Sequence, residues 1–319
     1  MKELVVVSGK GGTGKTSVVA SFAALAERAV LADCDVDAAD LHLVLDPRIV
    51  HRENFIGGGK ARIMPGHCTA CGKCEELCRF DAIYYDGPGN GRVARTFRVD
   101  SFACEGCGVC VDFCDDNAIE FAPAVCGQWF ISETRFGPLV HAQLGVAADN
   151  SGKLVTQIRR TAQEVATQRK LELAICDGSP GIGCPVIASL TGASLALFVA
   201  EPTISGLHDL ERVAQLTVQL GIPSMLAVNK ADLNKEVPQR LENLAGKYGV
   251  LPVGRIPYDR AVTAAQIAKK SVVESSVGPA ARAIRDIWTV VEKRLQTSTT
   301  SQVGNIAMRP KLIPREDIS

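Results

Sequence analysis

The sequence predicts an α/β fold: a mostly parallel, doubly wound sheet interrupted by a small α+β insertion. Three observations carry that expectation. Short apolar runs alternate with amphipathic segments along most of the 319 residues, the pattern of strands joined by crossover helices. A turn rich in glycine and lysine, "GKGGTGKT", separates the first apolar run from the first helical segment. Eight of the twelve cysteines fall into two sets of identical spacing in the first half of the chain.

The strand candidates are Leu4–Val7, Ala29–Ala32, Leu171–Cys176, Leu195–Ala200, Ser224–Val228 and Val250–Ile256. Between them, "LHDLERVAQLTVQLG" and "EVPQRLENLAGKYG" place apolar residues at helical spacing, and "GPAARAIRDIWTVVEKRLQ" reads as a closing helix. The tail 299–319 has two prolines and little periodicity, so it is expected to be mobile. One uncharged stretch of 23 residues, Gly178–Ala200, has the length of a membrane span. Six glycines and prolines punctuate it, which predicts a loop, a short buried helix and a strand.

Lysine plus arginine (35) balances aspartate plus glutamate (35), so no global field draws the chain to nucleic acid or to an anionic membrane. Neither is expected as a partner. The chain enters a strand at once, with too short an apolar run for a signal-peptide core, and a cytoplasmic location is expected. In that compartment many cysteines point to metal ligation rather than disulfides.

"GKGGTGKT" (Gly9–Thr16) satisfies G-x-x-x-x-G-K-[ST] between a strand and a helix, which is the context that motif requires. Its glycines, Gly9, Gly11, Gly12 and Gly14, let backbone N–H groups converge with those of Thr13 and Ser17 on phosphate oxygens at a helix N-terminus. Lys15 is expected to reach the β/γ-phosphates and the Thr16 hydroxyl to ligate Mg²⁺. The second lysine narrows the reading. "KGGTGKT" resembles the deviant phosphate loop of the MinD/ParA/Mrp ATPases, which include the nitrogenase iron protein. The resemblance implies a P-loop NTPase sheet and a nucleotide-sandwich dimer in which Lys10 reaches the partner's nucleotide, whether the partner is a second copy or a related ATPase. By position in "LADCDVDAADLHL" it implies that Asp35 orients water, with Asp33 and Asp37 as open alternatives. In "LAICDGSPGIGC" it implies that Asp177 stands on the Mg²⁺ side at the second switch. These four residues, Lys10, Lys15, Asp35 and Asp177, are the catalytic candidates.

"AVNKADL" holds Asn229, Lys230 and Asp232, the N-K-x-D pattern with which G proteins read guanine. The ATPase family keeps an asparagine at this strand end for adenine, and "RIPYDRAV" near Pro257 resembles its next base-contacting loop. Asn229, Asp232 and Pro257 are therefore the base-contact candidates. ATP is favoured, and GTP stays open.

The cysteine sets, "CTACGKCEELCRFDAI" and "CEGCGVCVDFCDDNAI", repeat at an offset of 36 residues within an insertion at 60–124. This divides the chain into 1–59 with 125–298, the insertion, and the tail. Each set reads C-x₂-C-x₂-C-x₃-C, resembling the bacterial two-cluster ferredoxin, in which the fourth cysteine ligates the other cluster. Carried over, that rule assigns Cys68, Cys71, Cys74 and Cys114 to one 4Fe–4S cluster, and Cys104, Cys107, Cys110 and Cys78 to the second. Arg79 and Asp115 stand where that family usually has proline.

Of the remaining cysteines, Cys34 and Cys176 read as packing residues. Cys184 occupies a place where the nitrogenase iron protein ligates a subunit-bridging cluster, with Cys126 as a conceivable second ligand; a buried thiol is the competing reading. The whole resembles MinD-superfamily ATPases with an inserted ferredoxin domain. That implies ATP hydrolysis in a dimer gating electron transfer through two clusters to a redox partner. The alternative is an ATP-dependent cluster carrier, similar to the Mrp proteins, that serves apo-protein acceptors.

Overall fold

The computed structural model describes residues 1–145 and 151–297. The tail expected to be mobile lies outside them. In chain order the strands are β1 (Lys2–Val7), β2 (Ala29–Asp33), β3 (Arg48–Ile63), β4 (Ile83–Gly87), β5 (Thr96–Val99), β6 (Ile119–Thr134), β7 (Gly137–Leu144), β8 (Leu173–Asp177), β9 (Leu195–Ala200), β10 (Ser224–Asn229) and β11 (Leu251–Ile256). The helices are α1 (Lys15–Leu25), α2 (Leu41–Leu45), α3 (Lys73–Glu76), α4 (Val109–Asp112), α5 (Ser151–Arg169), α6 (Cys184–Leu190), α7 (Ile204–Gln219), α8 (Val237–Lys247), α9 (Arg260–Ile267), α10 (Val272–Ser275) and α11 (Pro279–Thr297).

Nine strands form one sheet in the order β11-β10-β9-β1-β8-β2-β7-β6-β3. From β11 to β7 every pairing is parallel, and β6 and β3 then add antiparallel at one edge. The period of two along β1 divides the core. Val5 and Val7 face one apolar layer with α5, α6, α7 and α8, whereas Leu4 and Val6 face the other with α1, α2, α9, α10 and α11. Both faces are thereby covered, which is why the central strands β1, β8 and β9 are nearly continuous apolar runs. The uncharged stretch resolves into a loop, α6 and β9. Among the described residues no helix is long and apolar enough to cross a membrane.

The six strands expected from apolar runs are all present as β1, β2, β8, β9, β10 and β11. The edge ribbon was not expected. β3 and β6 are 16 residues each and pair from Arg48↔Glu133 to Ile63↔Ile119. Positions 60 and 124, where composition changes, both fall inside these strands. Beyond the ribbon's tip, β4 and β5 form a separate hairpin, and α3 and α4 follow the two cysteine loops. A third apolar cluster, including Ala61, Ile63, Phe97 and Ile119, packs there against the cysteines.

Candidate functional site

The carboxyl ends of β1, β2, β8 and β10 converge on a cavity of about 380 Å³. Gly11, Gly12, Thr13, Gly14, Lys15, Thr16 and Ser17 form one wall, with Asp35, Asn229 and Pro257 on others. This is the crevice position at which open α/β sheets bind ligands. Gly14 has φ 89°, and a Cβ there would lie 2.3 Å from the Asn229 side-chain nitrogen. Glycine is therefore required for the turn and for the close approach of β10. Asn229 Nδ2 donates to the Thr13 carbonyl at 2.7 Å, so the residue expected to meet the base also fastens the phosphate loop.

Lys15 is only 5% exposed, and its Nζ lies 2.5 Å from Asp177 Oδ1 and 3.3 Å from Asp35 Oδ2. Burial alone would pull its pKa down, but Asp177 and Asp35 more than reverse that and raise it above the ordinary lysine value. Burial raises Asp35 despite Lys15, with Asp177 adding to the effect. Asp33 is fully buried, and burial followed by Asp177 pushes it well above the usual carboxylate range. Its oxygens accept from the backbone N–H groups of Asp35 and Leu41, which fixes the loop leading into α2. Asp37 is exposed and faces away from this cavity. Of the three acidic candidates, only Asp35 meets both Lys15 and the cavity.

Asp177 Oδ2 is buried with no hydrogen-bond partner among the described residues. A buried acceptor left without a donor is costly. A divalent cation or its water would satisfy it, so Asp177, Asp35 and the Thr16 hydroxyl fit Mg²⁺. Thr16 and Asp35 line the cavity, and Asp177 reaches it through Lys15.

Other expected residues stand elsewhere. Gly9 and Lys10 line a smaller recess beside β9, where Asp209 packs so closely on Gly9 that a Cβ would meet it at 2.0 Å. Lys10 Nζ pairs with Glu201 Oε2 at 3.3 Å and also reaches Ser205 Oγ at 3.4 Å. Glu201 pairs in addition with Lys230, whose Nζ donates to the Gly12 carbonyl at 3.2 Å. Asp232 is not on the cavity wall; it accepts from the Tyr258 backbone N–H at 2.6 Å. Sequence reading missed Glu201 and Gln266, which donates to Ser17 Oγ at 2.9 Å, and it named Lys230 only within the N-K-x-D pattern, not as the partner of Glu201 and Gly12. The position of Glu201 just after β9, a sheet-end site, was the only signal for it.

The cysteine loops build two further cavities. One, of about 340 Å³ including its open mouth, is lined by Cys68, Cys71, Cys74 and Cys114. The other, of about 360 Å³ on the same measure, is lined by Cys104, Cys107, Cys110 and Cys78. Each therefore takes three cysteines from one repeat and the fourth from the other. The backbone repeats too: left-handed conformations occur at Ala70, Gly72 and Asp81, and 36 residues on at Gly106, Gly108 and Asn117. Backbone N–H groups donate to the sulfurs of Cys68, Cys78 and Cys114 at 3.3–3.4 Å. Burial pushes the Cys74 thiol up to about 11, and Cys68 and Cys71 add to it. Among the described residues no three His, Cys, Asp or Glu side chains converge as on a single metal ion.

Cys34 and Cys176 are fully buried, and the Cys176 thiol donates to Glu3 Oε1 at 3.2 Å. Cys126 is buried beside Gly57, whereas Cys184 is exposed at the first turn of α6 against Gly152.

A family model described as the CobQ/CobB/MinD/ParA nucleotide binding domain matches residues 4–272. The chain belongs to this family. An uncharacterized protein of Methanocaldococcus jannaschii is 33% identical over 242 residues, covering 73% of this chain and 79% of its own length. A second uncharacterized protein of that organism is 25% identical over 275 residues, covering 82% and 89%. The cell division ATPase MinD of Pyrococcus furiosus has the same fold, with TM-score 0.55, 18% identity, and 92% and 98% of the two chains covered. MinD of Pyrococcus horikoshii, solved with Mg-ADP, aligns with TM-score 0.55 and 18% identity over 94% of this chain and 99% of its own. The mostly parallel α/β sheet and the nucleotide-binding domain are thus those of the MinD-like family.

Proposed function

We propose that the chain binds and hydrolyses ATP, and that a nucleotide-dependent dimer gates electron transfer through two 4Fe–4S clusters to a redox partner. The observation that carries this reading is the pair of cavities with crossed cysteines, mounted on a ribbon continuous with the nucleotide-binding sheet. Four thiols spread around a cavity suit a cage better than a single tetrahedral ion. Crowded, partly buried thiols resist ionisation until a cationic group arrives, and the N–H···S contacts favour the thiolate. When bound, each cluster would supply a one-electron site. In this reading residues 60–124 are the ferredoxin-like insertion, and 1–59 and 125–298 the ATPase domain.

At the nucleotide site, Lys15 exchanges Asp177 and Asp35 for phosphate oxygens, which frees both carboxylates. Asp177 and Thr16 would then be placed to hold Mg²⁺, which would supply counter-charge for the phosphates, and Asp35 orients the attacking water. Lys10 leaves Glu201 to reach the nucleotide of the partner subunit, a second copy or a related ATPase. Adenine sits by Asn229 and Pro257, which line the cavity, whereas Asp232, whose Oδ1 accepts from the Tyr258 backbone N–H, does not line it. The loops that move on nucleotide exchange flank the ribbon, so their rearrangement alters exposure of the cysteine loops.

The test is anaerobic purification, iron and sulfide analysis, and ATP and GTP hydrolysis with the protein oxidised and then dithionite-reduced. About eight irons per chain and an ATPase rate that changes with redox state are expected. Clusters present with an unchanged rate would refute the gating. The exposure of Cys184 at the start of α6 favours a second reading, an ATP-dependent cluster carrier with a labile, subunit-bridging site. ATP-dependent transfer of iron to an apo-ferredoxin, abolished by Cys184→Ser, would decide for it.

A further inference from the structure

The loop that carries Asp35 borders two cavities. Asp35, Ala38 and Asp40 line the nucleotide cavity, whereas Val36, Asp37 and Ala39 line a second one of about 560 Å³. Neither the nucleotide chemistry nor the cysteine loops use this second space, and its size is ordinary for a small-molecule site. His42 from α2, Arg52 from β3, Phe130 from β6 and His141 from β7 contribute to its wall.

Those side chains form a column. Phe130 and His141 stack with centroids 5.0 Å apart, and His141 and His42 lie nearly parallel at 6.0 Å. The Arg52 guanidinium sits 5.3 Å from the Phe130 centroid. Among the described residues it has no ion pair or hydrogen bond, so its donors are free for an anion. Burial, with His42 adding to it, pulls His141 down to about 4, so that ring is uncharged at neutral pH. His42 Nδ1 is buried without a partner. Among the described residues the one carboxylate on the wall, Asp37, disfavours ligands with more than one negative charge.

We propose that this cavity binds a small aromatic monocarboxylate, its ring against the Phe130–His141 column and its carboxylate on Arg52, and that occupancy acts on the loop carrying Asp35. The pairing of a neutral aromatic wall with a single unpaired guanidinium selects that chemistry. Acetate offers only the charge, and a neutral aromatic amide offers only the ring. Because one loop forms both walls, nucleotide and carboxylate each alter the affinity for the other.

The experiment is calorimetric titration of benzoate, acetate and benzamide into the full-length, anaerobically purified protein without nucleotide. Benzoate is expected to bind at least about tenfold more tightly than either control, the loss typical of one charge-assisted contact. Arg52→Gln, on an exposed edge-strand position, should reduce benzoate to the level of benzamide. Equal binding of acetate or benzamide, an unaffected Arg52→Gln variant, or no saturable benzoate binding would each overturn the site. A second titration with saturating ATP should shift the benzoate Kd about fivefold or more. An unchanged Kd would overturn the coupling. Binding without nucleotide is read independently of hydrolysis and of iron content, so failure here is distinguishable from failure of the proposed function.

Discussion

Asp177→Asn separates the two partners that Lys15 serves. In the nucleotide-free protein Lys15 is 5% exposed and rests on Asp177 at 2.5 Å and Asp35 at 3.3 Å. Removing one partner of a buried pair costs about 3–5 kcal/mol. Asp35 remains, and the repulsion of Asp177 on Asp33 disappears, so the lower end, about 3 kcal/mol, is expected. At about 2 °C per kcal/mol for a domain of this size, the melting temperature should fall by ~6 °C. Adding ATP in the presence of EDTA changes the comparison. Phosphate then replaces Asp177 as the partner of Lys15, so the gap between variant and wild type should narrow to within about 2 °C. Thermal unfolding followed by circular dichroism, with and without ATP and EDTA, measures both quantities. A variant that melts within 1 °C of wild type without nucleotide (~0.5 kcal/mol), or a gap that ATP leaves unchanged, would refute the exchange.

Three further outcomes follow from the geometry. Cys78→Ser and Cys114→Ser should each remove about half the iron, and paramagnetic resonance of the reduced protein should show that Cys78→Ser spares the set built on Cys68, and Cys114→Ser the set built on Cys104. Asp232→Asn should change the ratio of ATP to GTP affinity less than about twofold, because a base-reading carboxylate would carry more than 1 kcal/mol and this one serves Tyr258. His141 has a folded pKa near 4 against an ordinary 6.5, so the unfolded chain binds the extra proton between those values. Its contribution is complete above pH 6.5 and is lost as the pH falls toward 4, about 2 kcal/mol by pH 5. Urea unfolding midpoints at pH 7.5 and 5 should differ less in His141→Gln.

The central parallel strands β1, β2, β8, β9 and β10 were legible because burial on both faces writes them as apolar runs, whereas β7, which pairs parallel with β2 but holds His141 and Gln143, was not. The edge ribbon was not. The first half of β3 is exposed on both faces, so "RIVHREN" carries no alternation. "GGGK" reads as a linker, yet it lies within the strand: a Cβ at Gly57 would strike Phe55, and one at Gly59 would strike Phe121 at 2.4 Å. Those glycines serve side-chain packing rather than chain flexibility. The phosphate loop and cysteine sets were readable because their chemistry is local in sequence. Glu201, Gln266, the partners of Lys230 and the ring column were not, since each meets its partners only when separate strand ends are brought together. Asp232 lies in a short pattern whose Oδ1 also holds the neighbouring loop through the Tyr258 backbone N–H, a contact that only the fold brings about.

The ribbon also determines how separable its cargo is. Ile63 and Ile119 are cross-strand neighbours, so the chain leaves and re-enters β3 and β6 at points roughly 5 Å apart. Excising everything between them and closing the gap with a two-residue hairpin turn would strain neither strand. A long segment closed on so short a base adds only slowly growing entropy to the unfolded chain. The architecture is that of a hairpin whose turn has been exchanged for a folded unit, and the sheet beneath should fold whether or not that unit is present.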